Sequence, residues 1–254
     1  MKRKKILLCI LLTAALLVGC NARSVTPLAV GVPTEINGKE FTITTEQAYP
    51  DDDEILAVNA IYGDQTLKLD ESLEVKGVYE VVQKDGTYML TETGTFNDWR
   101  VVYLLRADAK EITETDVIDG SLGDMPKNPE DGFSITSKID VLGSYGGTRT
   151  YTIENGCFVT DSTLYEFRGT PDGYRPVLTV TGEISCRIEG GSTELKPGDI
   201  ITPTAYSEDG VFYFEREDGT PGSFQVDLDG EGNYAYTIGG VDENELFESL
   251  PYAG

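Results

Sequence analysis

The residues best equipped for chemistry in this chain are its carboxylates, its four cysteines and, by omission, its histidines, of which there are none among 254 residues. Without imidazole, neither a serine or cysteine triad built on histidine, nor a histidine-rich zinc site, nor histidine acid–base catalysis can be assembled. No phosphate-binding loop, dinucleotide glycine fingerprint or S-x-x-K motif occurs either. With 44 acidic residues almost any carboxylate pair could be drawn across a glycosidase cleft, but sequence supplies no separations, so the carboxylates read as a solvated surface and no catalytic pair is assigned. "DLDGEGN" (227–233) sets Asp227, Asp229 and Glu231 at positions 1, 3 and 5 of a calcium loop with Gly232 at position 6. Position 12, which needs a bidentate glutamate, is Ile238; the stretch therefore reads as an acidic hairpin tip. "PDDDE" (50–54) likewise reads as a solvated turn. No metal site and no cofactor are expected.

The thiol with the clearest role is Cys20. Lys2, Arg3, Lys4 and Lys5 precede an apolar run from Ile6 to Val18, and small residues then lead to Cys20. That is the plan of a signal peptide, and the run is too short for a lasting membrane span, which needs about 20 apolar residues. Leu17-Val18-Gly19-Cys20 resembles the lipobox of bacterial lipoproteins. The resemblance implies cleavage before Cys20, a diacylglycerol on its thiol and an extracytoplasmic protein held to the cell membrane by acyl chains. Removal of residues 1–19 leaves 235 residues and deepens the formal charge from −24 to −28. Nucleic acid, which requires clustered Lys and Arg, is excluded as a partner.

Cys157 and Cys186 are the other thiols of the mature chain. Two readings stay open: a disulfide closing a loop of about 29 residues, contributing on the order of 3 kcal/mol, or two free cysteines.

The elements that must position these residues are β-strands. "FTITTE" alternates Phe41 and Ile43 onto one face, Leu67 and Leu69 share another, and "GVYEVV" sets Val78, Glu80 and Val82 against Tyr79 and Val81. Asp85-Gly86, Asn155-Gly156, Asp172-Gly173, Asp209-Gly210, Asp218-Gly219 and Asp229-Gly230 are hairpin-turn dipeptides. A weak repeat starts at Asp85-Gly86 and again at Asp131-Gly132, which predicts a mainly β protein of antiparallel propeller-like or sandwich-like repeats. Trp99, in the loop of the first repeat, reads as core packing. Asp242 and Glu245, followed by Leu246, Phe247, Leu250 and Pro251, predict a short capped C-terminal helix.

The organisation expected is a signal peptide over 1–19, a lipidated tether over 20–38 spanning on the order of 25 Å as flexible coil, a β-repeat domain over 39–170 and a second β domain over 171–254. In the last, Leu195 and Gly198, the strand Val211-Phe212-Tyr213-Phe214, the turn Asp218-Gly219-Thr220-Pro221-Gly222 and Phe224 resemble the bacterial SH3-like barrel. The departures are Ser223-Phe224 in place of a Gly-Trp pair and an extra hairpin from Gln225 to Gly240. The resemblance makes Tyr206, Phe212, Tyr213 and Phe224 the candidate lining of a peptide or glycan groove. The whole plan is similar to that of surface lipoproteins of Gram-positive bacteria. The expected function is non-catalytic: ligand binding or support of an envelope assembly, with membrane, peptide, glycan or envelope protein as partner. The alternative is a carboxylate-dependent hydrolase of glycans or cell wall.

Overall fold

The computed structural model describes residues 23–47, 55–69, 72–95, 99–169, 175–228 and 235–253. The chain is mainly β and antiparallel throughout its ladders. Its first nine strands are β1 (Ser24–Pro27), β2 (Thr34–Ile36), β3 (Lys39–Gln47), β4 (Ile55–Tyr62), β5 (Gln65–Leu69), β6 (Glu74–Val82), β7 (Thr87–Gly94), β8 (Arg100–Ala107) and β9 (Ile112–Asp119). They form two sheets, one ordered β2-β3-β4-β5 and the other β1-β6-β7-β8-β9.

The third sheet begins with β10 (Ser121–Leu122), β11 (Phe133–Asp140), β12 (Ser144–Glu154), β13 (Cys157–Val159) and β14 (Leu164–Phe167). It continues through β15 (Leu178–Thr179), β16 (Ile184–Ile188), β17 (Gly191–Leu195), β18 (Ile200–Ser207), β19 (Val211–Arg216) and β20 (Pro221–Gln225). Its order is β10-β11-β12-β14-β18-β19-β20-β16-β17. A small sheet of β21 (Asp227–Leu228), β22 (Tyr236–Ile238) and β23 (Val241–Asp242) leads into helix α1 (Glu243–Leu246). As its D-x-x-E spacing predicts, that helix is capped by Asp242, whose side chain accepts from Asn244 N at 2.8 Å.

The β1–β9 sheet is a middle layer. Met89, Tyr103, Leu105 and Val78 leave one of its faces to pack on Phe41, Ile43, Val58 and Tyr62 of the β2–β5 sheet. Leu90, Val102, Leu104 and Val81 leave the other to pack on Phe133, Ile135, Tyr151 and Ile153 of β11 and β12. The two repeats thus end as hairpins, β7–β8 and β11–β12, facing each other across a core: a sandwich arrangement rather than propeller blades. The outer layer is tied on by polar contacts at its edge, where Gln65 Nε2 donates to Ile112 O at 2.7 Å and Ile112 N donates to Gln65 Oε1 at 2.9 Å.

Burial on both faces also traps polar groups in β7. Thr93 Oγ1 lies 2.8 Å from Ser72 Oγ, whereas Thr91 Oγ1, in a residue with no exposure, has no hydrogen-bond partner among the described residues. An unpaired buried hydroxyl costs free energy that a methyl in its place does not. Thr91→Val is therefore expected to stabilise the fold by about 1 kcal/mol, read as a higher urea midpoint at unchanged slope.

β12 joins two cores. Its C-terminal half supplies Tyr151 and Ile153 to the sandwich, and its start supplies Tyr145 to a second cluster with Phe167, Leu178, Ile201, Phe212, Phe214 and Phe224. The boundary drawn at 170/171 is consequently spanned by one sheet, through Gly147↔Phe167 and Leu164↔Ser207, and by one core. Gly147 permits the crossing: a Cβ there would stand 2.5 Å from Ile139 Cγ1 and 2.9 Å from Tyr165 Cβ. The C-terminal strands do not close on themselves as the SH3-like barrel expectation required, because the path ends at β17 as an edge, and no closed barrel occurs among the described residues.

The expected tether differs too. Ser24–Pro27 forms four register pairs with β6, from Ser24↔Val82 to Pro27↔Tyr79, and Thr34–Ile36 pairs with β3. Pro27, which lacks an amide hydrogen, is tolerated because β1 is an edge strand.

Candidate functional site

Cys20, Pro50–Glu54 and 229–234 of the acidic hairpin lie outside the described residues. Cys157 and Cys186 are free thiols, so no bridge joins them. Cys157 is exposed on the β12–β13 hairpin, whose Asn155-Gly156 turn has both φ angles positive, while Cys186 is buried in the C-terminal core. Alternation on two different hairpins sends the two sulfurs to different surroundings.

The four groove aromatics do not converge on a solvent-facing groove. Phe212 and Phe224 are cross-strand partners with rings stacked at 5.4 Å in the core, and Tyr206, paired with Phe212, packs against the same cluster. Tyr213, one residue on, lies on the opposite face. Phe224 lines a cleft of about 310 Å³, where β16 and β20 diverge beyond Arg187↔Ser223, together with Cys186, Arg187 and Gln225 but none of the other three aromatics. Trp99, expected in the core, is 46% exposed with Lys138 Nζ 5.4 Å from its ring centre.

A larger cleft, of about 490 Å³, opens where the middle sheet meets the β2–β5 sheet. Three turns build it. Asn37, in the β2–β3 turn with φ of 51°, donates from Nδ2 to Ala107 O at 3.0 Å. Asp108 closes the β8–β9 turn, its Oδ1 accepting from Lys110 N at 2.7 Å and Glu111 N at 3.0 Å; those bonds hold its carboxyl below the usual range. In the β6–β7 turn, Arg106 donates from Nη2 to Asp85 O at 3.3 Å, and Tyr88 Oη donates to Asp85 Oδ2 at 2.8 Å. Burial first, then the Asp85 contact, pushes the Tyr88 hydroxyl up to about 12.

Of the charged side chains that line the cleft, two, Glu80 and Lys84, have no hydrogen bond or ion pair among the described residues. Glu80 stands on β6 in the alternation of Val78 and Val82 and is partly buried; desolvation raises its pKa. Lys84 is exposed at the turn tip. The cleft thus offers a hydrogen-bond-accepting carboxyl within and an ammonium at the rim. Sequence marked Asp85-Gly86 as a turn, but nothing local could bring residues 37, 80, 84 and 106 together.

A second polar cluster holds the C-terminus. Tyr252 Oη donates to Glu243 Oε2 at 2.7 Å, Ser144 N donates to Pro251 O at 3.1 Å, and the Glu243 charge adds to burial in raising the hydroxyl pKa of Tyr145 and of Tyr236. Glu243 is 3% exposed, and its pKa is raised, by desolvation above all, with the Tyr252 bond and the Tyr236 backbone opposing and Asp242 adding. A raised carboxyl pKa contributes stability that is complete below the unfolded value and is lost as pH climbs through the folded one. Glu243→Gln keeps an acceptor for Tyr252 without the charge. Its thermal midpoint is expected to exceed that of the wild type at pH 7 and to match it near pH 4, as calorimetry at the two pH values would show.

No group of three or more His, Cys, Asp or Glu side chains is placed to hold a metal ion among the described residues. Compared with protein-family models, curated proteins and solved structures, the chain matches none.

Proposed function

We propose that the chain is a membrane-anchored surface lipoprotein, attached through Cys20, whose β body binds a ligand without catalysis. The observation that carries the binding role is the cleft between the two N-terminal sheets, in which Glu80 and Lys84 are free to engage a ligand while Arg106 and Asp108 are occupied in closing the turns around it. A concave site with a few convergent polar groups is what binding a ligand needs. The support for attachment is the lipobox sequence, and two acyl chains give an anchor that one would not.

The test of attachment is metabolic labelling with a radioactive fatty acid. The wild-type chain is expected to carry label and sediment with membranes, and Cys20→Ser to lose the label and at least about tenfold of its membrane-bound fraction; equal labelling of both would overturn the attachment. For the cleft, titration with peptides and cell-wall glycan fragments is expected to show saturable binding that Glu80→Gln and Lys84→Ala each weaken about fivefold or more.

One observation favours a glycan hydrolase as second reading: Glu80 and Asp108 line one cleft with carboxyl pKa values displaced in opposite directions, the pattern of an acid and its partner carboxylate. Asp108 is already held by two backbone amides, which favours the binding role. Turnover of a polysaccharide that Glu80→Gln abolishes would reverse that preference.

A further inference from the structure

We infer that the end of the body bearing turns 83–86 and 108–111 rests on the bilayer, with Lys84 and Arg106 facing anionic phospholipid headgroups. This rests on the attachment at Cys20 proposed above and deepens the reading of the cleft: it names the headgroup phosphodiester as the group that Lys84 engages at the rim and leaves Glu80 within for the ligand of the cleft.

The register of β1 carries the orientation. Ser24 pairs with Val82 and Pro27 with Tyr79, so the chain enters β1 at the turn end of β6 and runs away from it. Cys20 precedes Ser24 by four residues, and four residues reach at most about 14 Å. Acyl chains on Cys20 therefore begin within that distance of Ser24, whatever path the intervening residues take. Strand β1 cannot swing freely: Val25 N donates to Lys127 O at 3.3 Å and Arg23 forms an ion pair with Glu130, which tie it to a third layer. The opposite ends of β6 to β8, at Glu74, Gly94 and Arg100, lie a strand length away, about 27 Å.

Charge permits the same end. The formal charge of the chain is −24, and an anionic surface would repel most of it. At the turn end five basic residues, Arg23, Lys39, Lys84, Arg106 and Lys110, stand against six acidic ones, Asp64, Glu80, Asp85, Asp108, Glu111 and Glu130, so this end is close to neutral. Several of these groups are spoken for: Lys39 Nζ donates to Lys110 O, Asp85 accepts from Tyr88, and Asp108 accepts from the amides of its own turn. The exposed ammonium of Lys84 and Nη1 of Arg106, whose Nη2 donates to Asp85 O, are the donors left to meet a phosphodiester, a group both side chains bind well. Beyond a Debye length of about 8 Å at physiological salt the remaining carboxylates are largely screened, so a nearly neutral end meets little repulsion.

The test uses the full, lipidated chain, extracted from membranes and reconstituted into phosphatidylcholine vesicles with or without phosphatidylglycerol and carrying a headgroup quencher. In a Cys157→Ser background a fluorophore is placed at Ala109→Cys, in the turn, or at Glu74→Cys, at the far end. The probe at 109 is expected to be quenched at least about twofold more than the probe at 74, since the two differ by nearly a strand length of depth. Phosphatidylglycerol is expected to increase the quenching at 109, and Lys84→Glu to remove most of that increase, each basic side chain at such a surface being worth about a fivefold change. Equal quenching at both positions, or more at 74, overturns the orientation. An increase that Lys84→Glu leaves intact overturns the headgroup contact. A failure of the attachment itself registers separately, as a wild-type chain that does not float with the vesicles.

Discussion

Phe212→Ala is expected to destabilise the fold by about 3–5 kcal/mol, lowering the thermal midpoint by roughly 10 °C. Phe212 has no exposure and stands at the centre of a ring cluster, 5.4 Å from Phe224, 6.1 Å from Phe167 and 6.3 Å from Tyr145 between ring centres. Truncation removes the burial of a large apolar side chain and leaves a void that strands on both sides cannot close, because β19 is paired to β18 and to β20 along its length. Tyr213→Ala, one residue along and facing the other way, is expected to cost less than half as much. Urea denaturation of both variants measures the contrast. Equal costs would mean that Phe212 is not the core residue its ring contacts make it.

Arg149→Ala is expected to cost about 2–3 kcal/mol, although the residue is charged. Its side chain is 3% exposed. Nη1 donates to Glu208 Oε1 and Nη2 to Thr163 O, each at 2.6 Å, and the guanidinium carbon lies 3.4 Å from the Tyr165 ring centre. These contacts tie β12 to the β14 hairpin and to the end of β18, the seam where the N-terminal sandwich passes into the C-terminal core. Losing the arginine leaves Thr163 O with the Glu208 amide, at 3.0 Å, as its one donor, and Tyr165 without its stacking partner. Glu208 by contrast is 56% exposed and can turn to water, so Glu208→Gln is expected to cost under about 1 kcal/mol. Arg149→Lys is expected to recover little, since an ammonium has neither the fork nor the flat face. A chemical denaturation series over the four proteins reads the asymmetry, and equal losses at 149 and 208 would refute it.

The positions of Phe212 and Arg149 illustrate how far local pattern reaches. Alternation placed Phe41 with Ile43 and Leu67 with Leu69 on common faces, and the structure buries Phe41, Ile43 and Leu69. The Asn155-Gly156 and Asp218-Gly219 turns and the Asp242 cap stand where their residue types put them, because each depends on the φ, ψ and hydrogen bonds of neighbouring residues alone. Alternation leaves open what lies above a face. "VVYLL" at 101–105 reads as a strand under any scheme, yet only a sheet on either side sends Tyr103 and Leu105 into one core and Val102 and Leu104 into another. A continuous apolar run is the sequence trace of such a middle strand.

What the amino-acid sequence by itself determined is the chemistry available and the local form: no imidazole, a thiol at the end of an N-terminal apolar run, antiparallel strands cut by Asp-Gly and Asn-Gly turns, and one short helix. Tertiary structure alone decided which aromatics are core, that Ser24–Pro27 is a strand rather than a tether, that Cys157 and Cys186 stay apart, and that Asn37, Glu80, Lys84 and Arg106 share a cleft. The physical reason is range. Turn and cap energies are settled within a few residues, whereas register and layer order are set by burying both faces of β6 to β8 between partners that lie up to about seventy positions away along the chain.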